Sequence, residues 1–474
     1  MKAIGRALIL AGAALLAGCM VGPDYKRPEV ATPAAFKEAT DGWQPARPRD
    51  DIARGDWWSV YNDPILDGLE RQVVVSNQNV RAAEAAYRQA RAVIEQTRAN
   101  LYPVIDLNAS STTSGGEPLK KTTTQYTLGP SLSWIVDLWG RIRRAIESNT
   151  ATAQATAADL ASVQLAAQAA LASSYFALRA QDELKNLLEA TAVNDDKALQ
   201  IVRNQYAAGV AARADVISAE TQLLSVQAQA VNAGVQRAQL EHAIAVLIGR
   251  PPAEVSITPA PLAQNIPDIP AGLPSALLER RPDIASAERK MAAANAQIGV
   301  ATAAWFPNLT LSASTEFTSS VLGRLLQASN NIWSFGPLLA ETVFDAGARS
   351  AAVEQARANY DETVAAYRQT VLTAFQQVED QLSALRILAR QAELENAVVA
   401  SAHKAEQLVL NQYKGGIVPY SSVLTAETTT LSNEQTALAV RQSRFLASVA
   451  LIEALGGGWD ASQLQVSETA RAGP

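Results

Sequence analysis

The sequence predicts an α+β membrane protein built from two tandem repeats, each joining long helices to a β-hairpin. Three features carry that prediction: a recurring motif, helical stretches longer than a globular core needs, and short segments alternating apolar with small polar residues. Residues 204–221 read NQYAAGVAARADVISAET and residues 411–428 read NQYKGGIVPYSSVLTAET. They align without a gap and keep the Asn-Gln-Tyr, Gly209/Gly416, Val216/Val423 and Ala-Glu-Thr positions, with Val210/Ile417, Ile217/Leu424 and Ser218/Thr425 as close substitutions. Residues 77–110 lie over 281–314 in the same way, pairing Glu84 with Glu288, Ile94 with Ile298, Pro103 with Pro307 and Ser110 with Ser314. The offset is 204 residues there and 207 at the first motif, so three residues are added in the β region or in the helix after it. The repeating unit is helix, β-hairpin, long helix, turn, helix.

The elements follow in order. Lys2 and Arg6 precede an apolar run over residues 7–16, and Leu16-Ala17-Gly18-Cys19 closes it with small residues. Residues 1–18 therefore read as a secretory signal peptide, too short to span a membrane in the mature chain. Leu-Ala-Gly-Cys resembles the lipobox of bacterial lipoproteins, whose cysteine becomes the acylated first residue. Cys19 is the only cysteine, so no disulfide forms within one chain and an acyl anchor is its expected use. The alternative is a signal peptide that happens to hold a cysteine. Residues 19–63 form an extended, lipidated arm, with Pro23, Pro28, Pro33, Pro45 and Pro48 against helix and Trp43, Trp57 and Trp58 as anchor points.

The first repeat covers residues 64–250: a helix to about 101, a hairpin at about 104–137, an Ala-rich helix from about 141 to 206, the turn, and a helix ending at Leu247. Gly249, Pro251 and Pro252 are its stop signals. A Pro-rich linker, 251–273, precedes the second repeat, 274–457, with its hairpin at about 308–345, and residues 458–474 form the tail. After the first turn Val216, Ala219, Leu223, Val226, Ala230, Ala233, Leu240, Ile244 and Leu247 mark a heptad seam, interrupted by Arg237 and, in the second repeat, by Arg444. Such a period implies left-handed supercoiling against neighbouring helices. Helices of about 65 residues reach on the order of 100 Å.

In the hairpins, Tyr126, Leu128, Pro130, Leu132, Trp134 and Val136 alternate mostly with Thr, Gly and Ser, Ile135 excepted, and Leu309, Leu311, Ala313 and Phe317 repeat the pattern. One apolar and one small-polar face fits a strand with lipid outside and water inside, although a strand on a soluble core reads alike. Beyond Cys19 no stretch reaches the ~18 apolar residues of a spanning helix. Four strands do not close a barrel, which takes at least about eight, and an open edge does not survive in lipid. The chain is therefore expected to share its barrel with other copies.

Composition narrows the function. Net charge is −6 and charged residues are 18%, which disfavours a nucleic-acid partner. No phosphate loop, dinucleotide loop, zinc-ligand cluster or nucleophile elbow is present, so no catalytic residue, metal or cofactor is assigned. His242 and His403 stand alone in helical stretches and read as surface or packing residues. Only Met20 and Met291 survive signal cleavage, too few for a soft-metal relay.

With these residues in view, the chain resembles the outer membrane factors, TolC-like channels of tripartite efflux and secretion systems, in their NodT/OprM-like lipoprotein branch. The likeness rests on Cys19-Met-Val-Gly-Pro-Asp-Tyr25, on the run from Leu273 to Glu288, on Asp137-Leu-Trp-Gly-Arg141 and on the two turn motifs. It implies a homotrimer whose twelve-stranded outer-membrane β-barrel, four strands per chain, continues into a long α-helical coiled-coil barrel across the periplasm. It also implies a passive exit duct for drugs or other toxic small molecules, working with a periplasmic adaptor (membrane fusion) protein and an inner-membrane pump of the resistance-nodulation-division type, in contact with outer-membrane lipid. Gly209, Val210, Gly415, Gly416 and Ile417 would be the adaptor-contact tip, and Asp215, Tyr413, Arg213 and Tyr206 the periplasmic gate. Val418 stands where the family carries an arginine, and Ser422 and Thr425 where it carries an acidic ring. Tyr413, or Arg213 nearby, is the expected donor to Asp215. Type I protein export uses the same fold and stays open, as does a lipid-anchored structural coiled coil, which explains the helices but not the hairpins.

Overall fold

The computed structural model describes residues 20–30, 32–38, 56–116, 122–267, 269 and 277–461. Cys19 and the lipidation expected of it lie outside them. The helices are α1 Pro64–Ser76, α2 Gln78–Ala99, α3 Arg141–Ala207, α4 Arg213–Leu247, α5 Pro282–Ala303, α6 Ala348–Lys414 and α7 Tyr420–Ala454, besides a single turn at Leu277–Arg280. The strands are β1 Val104–Ser114, β2 Thr123–Val136, β3 Asn308–Ser319 and β4 Asn331–Ala340. Repetition is close: α3 and α6 each have 67 residues, and α4 and α7 each have 35. The three added residues therefore fall in the second β region, between Pro307 and the start of α6. None of the described helices is long and apolar enough to cross a membrane.

The chain folds as two compact units. The first, Met1–Val30, Ala85–Ala157 and Ala285–Gln369, holds the sheet, antiparallel in the order β1-β2-β3-β4. Its register puts like residues on one face. Leu107 pairs with Pro130, Ile105 with Leu132, Trp134 with Leu311, Val136 with Leu309, and Ala313 with Phe335. The opposite face aligns Asp106 with Ser131 and Ser314 with Ser334, where Asn108 bonds Ser131 at 2.9 Å and the Ser314 and Ser334 hydroxyls meet at 2.9 Å. The apolar face is bare: Ile105, Leu107, Trp333 and Phe335 are 68–75% exposed. A single soluble chain rarely leaves so large a contiguous apolar surface in water.

Against this unit runs the arm. Arg144 is 1% exposed and donates to Val21 O (3.1 Å), Gly22 O (3.1 Å), Asp24 Oδ1 (2.9 Å) and Glu147 Oε2 (2.8 Å). A Cβ on Gly22, at φ +95°, would sit 2.4 Å from Gly299 Cα, so only glycines allow the two backbones to cross there. Asp137 caps α3 by accepting from Ile142 N and Arg143 N, and Trp139 stacks on Phe306 at 4.7 Å.

The second unit, Ala31–Glu84, Ala158–Ile284 and Thr370–Pro474, is helical in its described part. The heptad seam of α4 is its spine: Ala219, Leu223, Val226, Ala230, Ala233 and Ile244 are buried, with Leu188 and Leu431 packed on the middle of the stripe. Arg237 breaks the seam for a reason. Its guanidinium meets the buried carboxylate of Asp182 at 2.6 Å and donates to Ile257 O at 2.5 Å, while Arg179 donates to Thr258 O and Asp182 accepts from Ala260 N. The linker after Pro252 is thus stitched to α3 and α4 by one charge cluster. His242 is exposed, as expected of a surface residue. His403 is not alone: its Nε2 lies 3.0 Å from Glu434 Oε1 on the neighbouring helix, a pairing that residues so far apart in sequence do not announce.

Candidate functional site: the paired helical turns

Both motif copies end their long helix in the same way. After α3, Gly209 N donates to Tyr206 O and Val210 N to Gln205 O, both at 2.9 Å. After α6, Gly416 N donates to Tyr413 O and Ile417 N to Gln412 O, again both at 2.9 Å. This paired bonding is a Schellman motif, which needs a left-handed residue after the helix. Gly209 and Gly416 supply it at φ 71° and 74°. Nothing lies within 4 Å of where a Cβ would stand on either, so their requirement is conformational and not steric. The residue after such a glycine often folds back onto the helix. Here Val210 and Ile417 stay 78% and 75% exposed, and Gly415 lies exposed beside them. Each turn thus presents an apolar side chain on a tight, glycine-fixed loop.

Behind the turns the four helix ends converge. Leu199 and Val202 of α3, Ala219 and Leu223 of α4, and Tyr420 and Val423 of α7 form a buried cluster, with Tyr413 of α6 packed against it. Each fully buried Leu or Val there contributes roughly 1.5–3 kcal/mol. The structure brings Tyr413 and Asp215 into the same neighbourhood, and burial followed by the Asp215 charge pushes the Tyr413 hydroxyl above its ordinary pKa. The expected hydrogen bond between them is absent among the described contacts. Tyr413 Oη instead donates to Gln205 Oε1 at 2.5 Å, and Asp215 Oδ2 accepts from Ala212 N at 3.2 Å. Arg213 is exposed, and Tyr206 is 47% exposed. Sequence reasoning missed Gln205. Its signal was present, as the middle residue of the repeated Asn-Gln-Tyr, but only the fold sets it against the other copy.

The second copy replaces both charged residues that follow the first turn. Tyr420, 4% exposed, takes the place of Arg213, Pro419 that of Ala212, and Ser422 that of Asp215. Among the described residues no group of three or more His, Cys, Asp or Glu is placed to hold a metal ion. The arrangement offers rigid apolar loop tips and a hydrogen-bonded contact between the two helical hairpins.

Comparison with known proteins points one way. The family model of outer membrane efflux proteins matches residues 69–250 and 273–457. The chain is 31% identical over 457 residues to the toluene efflux pump outer membrane protein TtgC of Pseudomonas putida, covering 94% of each. It is 30% identical over 452 residues to the cation efflux system protein CusC of Escherichia coli, covering 94% of this chain and 96% of the relative. The solved structure of the outer-membrane channel OprN is similar with a TM-score of 0.87 at 31% identity, over 93% of this chain and 100% of that one.

Proposed function

This chain belongs to the outer membrane efflux protein family, and from that premise we propose that three copies close one twelve-stranded barrel and form the passive exit duct of a tripartite pump. The observation that carries the reading is the sheet: four strands, with one face apolar from Ile105, Leu107 and Leu132 across to Leu311 and Phe335, and with β1 and β4 left as outer strands. In lipid every strand edge must be paired, so β1 of one copy would pair with β4 of the next. Acylation at Cys19 would tether the arm to the outer membrane.

The turns would be the periplasmic tip. Val210 and Ile417, with the glycines that fix them, fit an adaptor that inserts apolar side chains between neighbouring turns, and the adaptor would link the duct to an inner-membrane pump of the resistance-nodulation-division type. Asp215, Tyr413, Arg213 and Tyr206 would govern how wide the tip opens. Named relatives handle cargoes as different as toluene and cations, and of the two methionines of the mature chain Met291 is fully buried, which leaves only Met20 exposed and no methionine relay for a soft metal. That favours toxic organic molecules as the cargo. Native mass spectrometry in detergent, joined to conductance in planar bilayers, tests the duct. Three chains per particle and discrete channel openings are expected; a folded monomer with an intact β signal would overturn the shared barrel.

A further inference from the structure

Asp195 of α3 is 5% exposed, and its Oδ2 has no hydrogen-bond partner among the described residues; neither has the buried Oε2 of Glu427 on α7. Two orphaned carboxylate oxygens on neighbouring helices are costly if both groups stay charged. The first repeat is built differently at this place. Glu427 is the counterpart of Glu220, which keeps a cation, Arg203, at 3.7 Å. The counterpart of Arg203 is Leu410, packed on the apolar cluster behind the turns. The second copy has the glutamate without the arginine.

The charges that bear on these carboxyls are acidic. Glu406 of α6 acts on both, and Asp195 acts on Glu427. Glu434 of α7 also feels Glu406 and is paired with His403 of α6. Tyr420 of α7 lies in the field of Glu427, Asp195, Tyr413 and, from α4, Asp215. No cation is among the groups acting on Asp195 or Glu427. Glu427 is seven residues beyond Tyr420, about 10 Å along α7, and Asp195 is twelve before Ala207, about 18 Å along α3.

We propose that Asp195, Glu406 and Glu427 form a proton-binding site between the two helical hairpins, closing α3 onto α7 when occupied and loosening them when it empties. A carboxyl that carries the proton donates to a neighbouring carboxylate, giving an orphaned oxygen its partner and removing one of the repelling charges. Burial, then Glu406, pushes Asp195 up to about 6; burial, then Asp195 and Glu406, pushes Glu427 up to about 7. Because both folded values lie above the ordinary carboxylate range, the stabilisation is fully present in acid and is lost as pH rises through about 6 and 7. The closure of α3 on α7 is independent of the duct; under the duct reading its consequence is a tip held tighter in acid.

Hydrogen exchange of the full-length protein in detergent, corrected for the intrinsic rate at each pH, reads the packing directly. Segments 192–202 and 420–430 should lose protection on the order of tenfold between pH 5.5 and pH 8, the factor that one unit of pKa difference gives. Glu427→Gln, which mimics the protonated carboxyl, should keep these segments as protected at pH 8 as the wild type is at pH 5.5. Asp195→Asn should do the same by the other partner, and Glu220→Gln, at the arginine-paired copy, should leave the pH dependence intact. Flat protection in the wild type, or an unchanged pH dependence in both Glu427→Gln and Asp195→Asn, overturns the site whatever the channel does.

Discussion

Tyr413 Oη donates to Gln205 Oε1 at 2.5 Å, joining the third residue of one Asn-Gln-Tyr copy to the second residue of the other. The duplicated motif is used unequally. Tyr413 also lies against the Tyr420 ring, centroids 5.5 Å apart, whereas Tyr206 and Gln412 are exposed. One copy supplies the donor, the other the acceptor, and the bond ties the end of α6 to the end of α3.

If that bond latches the two hairpins, Tyr413→Phe and Gln205→Leu should each loosen the turns by about 0.5–1.5 kcal/mol, and the double variant should cost little more than either alone. Protection of residues 199–223 and 409–423 in hydrogen exchange measures this. Fully additive losses would mean that the two side chains act separately.

Gly416 should tolerate Asn and reject Val. At φ 74° with open space around it, the position penalises β-branching through the backbone alone, by roughly 1–2 kcal/mol, while Asn enters the left-handed region readily. Gly416→Val should leave assembly intact and abolish efflux with the partner pump; Gly416→Asn should stay within a few-fold of wild type. Wild-type efflux by Gly416→Val removes this turn from the adaptor contact.

The fold was legible because its signals are periodic and duplicated. The alternation in β2 and the two Asn-Gln-Tyr turns each carry their own template and appear again in the second repeat; the seam from Ala219 to Ile244 carries its own heptad, while Thr430 and Asn433 stand at the counterparts of Leu223 and Val226. Contacts made by a single long side chain across distant segments were not legible. Arg144 carries no periodic signal of its own, yet it gathers two arm carbonyls and two carboxylates. Asp215 stood near Tyr413 by family analogy, but a backbone N–H three residues away offered its carboxylate a nearer partner. Local capping chemistry won over the longer reach.

Arg144→Met should free the arm. It would leave the carbonyls of Val21 and Gly22 without their donor and Glu147 without its cation, a loss of about 3–5 kcal/mol in line with breaking a buried charged contact. Limited proteolysis should then cut near residues 20–27 while the sheet stays protected. Arg144→Lys should rescue poorly, since an ammonium lacks the planar fork that reaches four acceptors. Equal resistance of Met and wild type to the protease would assign the arm to other contacts.

Mass spectrometry of the mature N-terminus should find acylated Cys19 followed by Met20. The arm's first described backbone hydrogen bond, Val21 N to Trp139 O at 3.1 Å, comes only two residues later, so the anchor would be held close to the fold. Cys19→Ser should leave trimers assembled but easier to extract from outer membranes. An unmodified Cys19 or a retained Met1 excludes the anchor.

Asp215 is tested best by what the second repeat does without it. Its carboxylate accepts from Ala212 N, half of a capping box, because Ala212 has no side-chain acceptor to complete the other half. In the second repeat the corresponding residue is Pro419, which has no N–H to satisfy, and the carboxylate is replaced by Ser422. The acid is present where the orphaned donor is present and absent where it is absent. Asp215→Ala should therefore cost about 0.5–2 kcal/mol, fray the first turn of α4 and raise the conductance of purified channels in planar bilayers. Asp215→Asn keeps an oxygen for Ala212 N and should stay near wild type. The decisive variant adds Ala212→Pro to Asp215→Ala: Ala212 already has φ −80° and ψ 150°, close to the −73° and 161° of Pro419, so proline fits there and removes the donor. Closure should return in that double variant. If Asp215→Asn conducts as freely as Asp215→Ala, the charge and not the cap holds the tip; if Asp215→Ala stays as closed as wild type, the constriction lies elsewhere along the helices.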